Sequence, residues 1–307
     1  MEIEILQNKK EGFTPIIGEM TIDLLSRLKA KVDSEGIDVL QKETIDILSK
    51  CTNPNKRESQ SITNLVVGYV QSGKTMSFTT LSALAHDNGY RIIIYFAGTK
   101  NNLLSQTTKR LRTDLINGSV NAKHYKLFEN PTKDDSQRIR NALSMSTKPT
   151  ILITVLKHHK YITELATMFN NIQLKNTIAK SGVLIIDDEA SLNGYAYKNS
   201  KSEEWEDDEY TTTYSSILKL RSALENHSYV QYTATPQGPL LISIMDLLSP
   251  KNHTVLTPGK GYTGGKTFFV DEPGLIITIK QDQVYHSKHN DLTNCPDSLI
   301  NALQLHI

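Results

Sequence analysis

The sequence predicts an α/β fold built on a mainly parallel central sheet, and three observations carry that prediction. From Ser61 onward, short apolar runs rich in β-branched residues alternate with helical stretches. One such run, "NLVVGYVQSGKTMSFTTLSALAH" from Asn64, ends in a Gly-containing loop that passes directly into a helical pattern. Another, "GVLIIDDEAS", ends in three successive carboxylates, Asp187, Asp188 and Glu189.

The elements follow in order. Residues 1–60 read as a small helical region: "TIDLLSRLKAKV" and "IDVLQKETIDILSK" place Leu and Ile at three- and four-residue spacing, as amphipathic helices require. "CTNPNKRESQS" reads as a polar linker. Residues 61–245 form the α/β lobe, with strands expected at "TNLVVGYV", "YRIIIYFAG", "PTILITVL", "SGVLIIDDEA" and "YVQYTATP". Each is a near-continuous apolar run, as expected of a strand covered on both faces. Intervening stretches such as "NNLLSQTTKRLRTDLI" are long enough for crossover helices. Between Leu192 and Glu209 the chain is acidic and without period, an exposed loop that holds the single tryptophan, Trp205. Residues 246–307 read as a Gly-rich β segment and the start of a further domain. No internal repeat is present.

Composition narrows the function classes. With 307 residues, 38% hydrophobic and 22% charged, the chain is of ordinary globular type. A formal net charge of +1 supplies no global basic field, so any nucleic-acid site must be a local patch. Cys51 and Cys295 are far apart and without a CxxC, which suggests neither a disulfide framework nor a zinc site. The start "MEIEILQNKKEG" has no apolar signal region, and no run approaches membrane-spanning length, so a cytoplasmic protein is expected.

The motifs carry the chemistry. Gly68-Tyr69-Val70-Gln71-Ser72-Gly73-Lys74-Thr75 fits G-x-x-x-x-G-K-[ST] between a buried strand and a helix. That context turns backbone N–H groups and a helix N-terminus toward phosphates. Gly68 and Gly73 then allow the tight loop, flanking Gln71 and Ser72. Lys74 reaches the β- and γ-phosphates, and Thr75 helps to hold Mg²⁺. In the acidic run, Asp188 is placed to hold the Mg²⁺ shell and Glu189 to polarise a water. Thr233-Ala234-Thr235 ends a further run, where paired hydroxyls would bond the acidic triplet and sense the γ-phosphate. The pair His158-His159 reads as a backbone-phosphate contact, a metal site or a solvated loop.

The ordered set G-x-x-x-x-G-K-T, D-E-A-x and T-A-T resembles motifs I, II and III of the first motor lobe of superfamily two helicases, a RecA-like P-loop NTPase lobe. "GYVQSGKT", "FAGTKNNLLSQTTKRL", "LIIDDEAS", "YTATPQGPLL" and "PGKGYTGGKTFF" together resemble the Z-one domain family. These are helicase-like proteins of bacterial restriction and antiviral-defence loci, often labelled endonucleases. The resemblance runs from about Ser61 to the C-terminus. It implies an ATP-binding and hydrolysing motor lobe of a nucleic-acid-dependent ATPase, with ATP and Mg²⁺ as ligands and DNA as the partner. It further implies phosphate and metal ligands at Lys74 and Thr75, a metal carboxylate at Asp188, a catalytic base at Glu189, and a coupling motif at Thr233 and Thr235. Asn102, Gln106 and Arg110, with Lys157 in "TVLKHHKYI", match stretches that touch a nucleic-acid backbone. Ser191 departs from the Asp or His common in the broader helicase family. An alternative reading is an ATP-dependent switch or assembly module that recruits a nuclease or other effector without translocating.

Two features expected of such machines are missing from the sequence. Motors of this class close a second RecA-like lobe, which lends arginine fingers, over the nucleotide; only one P-loop lobe is found. The chain stops on an apolar helical pattern, "PDSLINALQLHI", so the expectation is a fragment or a lobe completed by a partner. No nuclease triplet E/D-x-K forms either, since Lys280 after Asp271 and Glu272 is preceded by Thr278 and Ile279.

Overall fold

The computed structural model describes residues 13–56, 59–70, 73–117, 122–179, 181–190, 212–241, 246–271, 274, 278 and 297–304. Gln71, Ser72, Ser191, Trp205 with its acidic loop, Glu272, Lys280 and Cys295 lie outside them. Two compact units divide the chain, Met1–Gly259 and Lys260–Ile307.

The first unit is an α/β lobe whose sheet has seven strands, all parallel: β1 Gln60–Val67, β2 Tyr90–Ala97, β3 Tyr125–Glu129, β4 Thr150–Val155, β5 Gly182–Asp188, β6 Asn226–Thr233 and β7 Asn252–Val255. Their order is β3-β4-β2-β5-β6-β1-β7. Five of them match the apolar runs of the sequence. This is the architecture of a RecA-like P-loop lobe.

Alternation along each strand sends side chains to two cores. Ile93 and Tyr95 of β2 and Leu184 and Ile186 of β5 face one core. Ile92, Ile94 and Phe96, with Val183 and Ile185, face the other. The second core is closed by α5 Ser136–Leu143, α6 His159–Phe169, α7 Ile172–Ile178 and α8 Thr212–Ser222. The first is filled by α3 Lys74–Asp87, with the π-helical turn Arg112–Asn117 that follows α4 Asn101–Leu111 beside it.

Helix α3 carries no Asp, Glu, Lys or Arg between Lys74 and Asp87, and Ser77 through Ala85 are all buried. Three of its hydroxyls bond one turn back: Thr79 to the Thr75 carbonyl at 2.6 Å, Thr80 to that of Met76 at 2.9 Å and Ser82 to that of Phe78 at 2.6 Å. A helix buried all round needs an outer layer. The helical region before Ser61 supplies it: α1 Glu19–Leu28 and α2 Ser34–Ser49 pack on α3. Asp87, at the end of α3, caps α1 from outside, accepting from the backbone N–H groups of Gly18 (3.0 Å), Met20 (3.1 Å) and Thr21 (2.9 Å) and from the Thr21 hydroxyl (2.6 Å). At the other end of α1, Arg27 donates to the Asp114 carbonyl at 2.6 Å. The C-terminal end of α1 thereby lies beside the π-helical turn that follows α4.

In the second unit the expected Gly-rich β segment contains a π-helical turn, Thr267–Asp271, whose Phe268 N–H donates to Gly264 O at 3.1 Å. A helix, Asp297–Gln304, is also described there.

Candidate nucleotide site

The parallel register brings the strand ends to one edge of the sheet. Val67 pairs with Thr233, Tyr232 with Asp188, Asp188 with Ala97 and Phe96 with Val155. Every sequence motif therefore emerges within about a residue of the same line.

After β1, the Gly68 N–H continues the ladder to Thr233 O at 3.1 Å. Gly73, with φ of +97°, sits at the N-cap of α3; a side chain there would meet nothing within 4 Å, so the requirement for glycine is conformational. Lys74 opens the helix and folds back over the loop, its ammonium donating to Tyr69 O at 2.9 Å and Gly68 O at 3.4 Å. Burial lowers its pKa, opposed by the charges of Asp188 and Glu189.

The period of two in β5 separates the acidic residues. Asp187 follows Val183 and Ile185 toward the second core and is fully buried. One of its oxygens pairs with the Lys157 ammonium at 2.5 Å, and the other accepts from the Tyr229 hydroxyl. Asp188 follows Leu184 and Ile186 to the side of α3. There, burial first, and then the charges of Glu189 and Asp187, push its carboxyl up to about 6. A carboxylate so disfavoured is a ready partner for a cation. Glu189 leaves the strand with φ of +62°, a left-handed conformation that costs a non-glycine residue about 1–3 kcal/mol. Its side chain is exposed at the edge.

These groups share one cleft of about 840 Å³, lined by Gly73, Lys74, Thr75, Asp188, Glu189, Thr233 and Thr235. Thr233 and Thr235 bond each other rather than the acidic run, with hydroxyl oxygens 3.4 Å apart and the Thr235 N–H donating to Thr233 Oγ1 at 3.0 Å. Leu24, Leu28 and Lys31 at the end of α1 form a further wall that the sequence did not indicate. Among the described residues, no three or more His, Cys, Asp or Glu side chains are grouped to hold a metal. A hydroxyl and a single carboxylate, Thr75 and Asp188, suit Mg²⁺, which keeps waters and takes phosphate oxygens as its remaining ligands.

No family model and no curated protein matches the chain. Among solved structures it is similar to the Hef helicase domain of Pyrococcus furiosus, with 14% identity over 69% of this chain and 37% of that one and a TM-score of 0.40. It is also similar to the signal recognition particle 54 kDa protein of Aeropyrum pernix K1 in complex with GDP, with 15% identity over 70% and 58% of the two chains and a TM-score of 0.24. The chain thus spans little over a third of the first and somewhat over half of the second.

The residues expected at a nucleic-acid backbone separate in the structure. Gln106 and Arg110, one turn apart on α4, line the cleft together with Leu103 and Asp114. They also line an adjoining hollow of about 430 Å³, which reaches Gly98 and Lys109. Asn102 is exposed at the start of α4, its side chain accepting from the Leu103 N–H at 2.9 Å. Lys157 is a correction: its side chain has no exposure and is paired with the buried Asp187, so it does not reach a backbone phosphate. His158 caps α6, accepting from the Lys160 N–H at 3.3 Å, and stacks on His159 at 4.2 Å between ring centres. Among the described residues, no helix is long and apolar enough to cross a membrane.

Proposed function

We propose that this chain is the ATP-binding and hydrolysing lobe of a helicase-like, nucleic-acid-dependent ATPase. The observation that carries the reading is the meeting of Lys74, Thr75, Asp188, Glu189 and Thr233 around one cleft at the carboxyl edge of a parallel sheet. The α3 N-terminus and the Lys74 ammonium bind the β- and γ-phosphates. Thr75 and Asp188 hold Mg²⁺, which when bound neutralises the triphosphate and polarises its γ-phosphoryl group. Glu189 orients a water and takes its proton as the water oxygen bonds to the γ-phosphorus. The bond to the β–γ bridging oxygen breaks, and ADP leaves.

Gln106 and Arg110 lie between the cleft and the adjoining hollow, a location suited to reporting nucleotide state to a nucleic acid along α4. The resemblance to Z-one proteins supports DNA as that partner and restriction or antiphage defence as the setting. A second RecA-like lobe or a partner protein would add arginine fingers. The test is phosphate release with and without DNA, in the wild type and in Lys74→Ala. DNA-stimulated release that Lys74→Ala abolishes supports the motor reading. Nucleotide binding without any DNA effect favours a switch module instead.

A further inference from the structure

We propose that Lys157 is a positioning residue for the hydrolytic centre, holding the peptide of Glu189 in place from the neighbouring strand ends. This rests on the reading of Glu189 given above.

Lys157 stands two residues beyond β4 and is tied to three strands. Its backbone N–H donates to Gly98 O, at the end of β2, at 2.8 Å. Its ammonium pairs with Asp187 Oδ1 on β5 at 2.5 Å and donates to the Glu189 carbonyl at 2.9 Å. Asp187 is held in turn by the Tyr229 hydroxyl of β6. The side chains of Lys157 and Asp187 both have no exposure.

Neutralising Asp187 does not by itself account for this arrangement. A fully buried ion pair has a large desolvation cost, and a pair of neutral side chains of similar size is often as stable or more so. The second bond of the ammonium is the informative one. It goes to the carbonyl of a residue whose φ of +62° is unfavourable by itself and whose side chain faces the cleft. A backbone conformation of that kind persists only where its surroundings fix it. Water orientation depends on where that peptide sits, and a misplacement of about 1 Å can cost about 100-fold in rate.

The pair also reaches α4. Gly98 has φ of +70°, and a Cβ there would come within 2.6 Å of Leu103 Cδ1, so the chain turns sharply into the helix that bears Gln106 and Arg110. The same Lys157 thus fastens the turn into α4 through its backbone and the Glu189 peptide through its side chain.

The double substitution Lys157→Met with Asp187→Asn tests this in the full chain, because it removes both buried charges and leaves none unpaired. Lys157→Met alone would strand the Asp187 carboxylate and lose fold. Three quantities are compared with the wild type: Mg·ATP affinity, single-turnover phosphate release, and backbone amide exchange at Glu189 and Ala190. The expectation is nucleotide affinity within about threefold, release slowed about 100-fold, and faster exchange at those two amides with β4 unchanged. Wild-type release rates in the double variant would overturn the proposal and leave the ion pair as mere charge compensation. If the wild type shows no hydrolysis dependent on Lys74, the functional reading fails by itself. Amide exchange then still decides whether Lys157 fixes the Glu189 peptide, and unchanged exchange overturns it.

Discussion

Replacing Lys74 with alanine is expected to weaken Mg·ATP binding by about 10- to 150-fold. The ammonium is half-buried and occupied by the Gly68 and Tyr69 carbonyls, so it is pre-positioned over the loop that would enclose the phosphates. A hydrogen bond to a charged group contributes about 1.5–3 kcal/mol net, and each 1.4 kcal/mol is tenfold in affinity, which gives that range. Loss is not total, because the N–H groups of the first turn of α3 remain and Lys31 and Arg110 line the same cleft. The fold is expected to survive, since the two carbonyls released lie at the cleft, where water replaces the ammonium. The unfolding midpoint without nucleotide should therefore move by less than the few degrees that 1 kcal/mol produces. Titration calorimetry with Mg·ATP measures the affinity, and the melting curve controls for folding. Equal affinity in two equally folded proteins would refute the cradle and leave the Gly-containing loop as an ordinary turn.

Glu189→Gln keeps its shape but loses the basic oxygen, so nucleotide affinity should hold while turnover falls about 100- to 10,000-fold, read by phosphate release. Asp188 supplies a pH prediction. Its folded-state pKa is raised to about 6, so its favourable contribution to the metal-free protein is present below about pH 4 and lost as pH rises through 6. Asp188→Asn should accordingly stabilise the metal-free protein at pH 7 by up to about 3 kcal/mol and have little effect at pH 4, measured by urea unfolding. Equal effects at both pH values would deny that Asp188 is desolvated. Without the arginine fingers that a second lobe would lend, worth about 10³–10⁵ in rate, the chain alone should hydrolyse ATP slowly, and it should leave plasmid DNA uncut with Mg²⁺ or Mn²⁺. Fast release by the chain alone, or cutting that Asp271→Ala abolishes, would contradict these two expectations.

The five inner strands were legible because burial on both faces forces near-continuous apolar runs. The two edge strands were not. "YKLFE" of β3 is half-exposed, and "NHTV" of β7 is four residues long with a single buried side chain, so neither carries that signal. Helices α1 and α2 were readable from spacing, but not their seat on α3. The uncharged stretch from Thr75 to Ala85 was the available clue, since a helix without a polar face must be covered on all sides. Lys157 was misread because a lysine beside two histidines looks like a solvated basic loop. Only the packed side chains reveal its partner, since the register sets the buried Asp187 level with Val155, two residues back.

That register also decides which of two adjacent aspartates can act. Period two along β5 places Asp187 and Asp188 on opposite faces of one sheet. Asp187 joins Lys157 and Tyr229 in the core behind the site, and Asp188 joins Lys74 and Thr75 in front of it. Both carboxylates fit the same short motif, and their chemistry differs by which layer of helices each one meets. A one-residue slip of β5 against β2 and β6 would exchange them, burying the carboxylate proposed for the metal and turning the structural one to the cleft. The slip is opposed from both sides, since Val183 and Ile185 would leave one core while Leu184 and Ile186 left the other. The apolar residues before the acidic run therefore fix which aspartate is presented to the cleft, as well as the stability of the strand. Glu189, one residue past the end of the ladder, is no longer held by pairing in the sheet. The Lys157 ammonium on its carbonyl extends that constraint by one residue beyond the last strand pair.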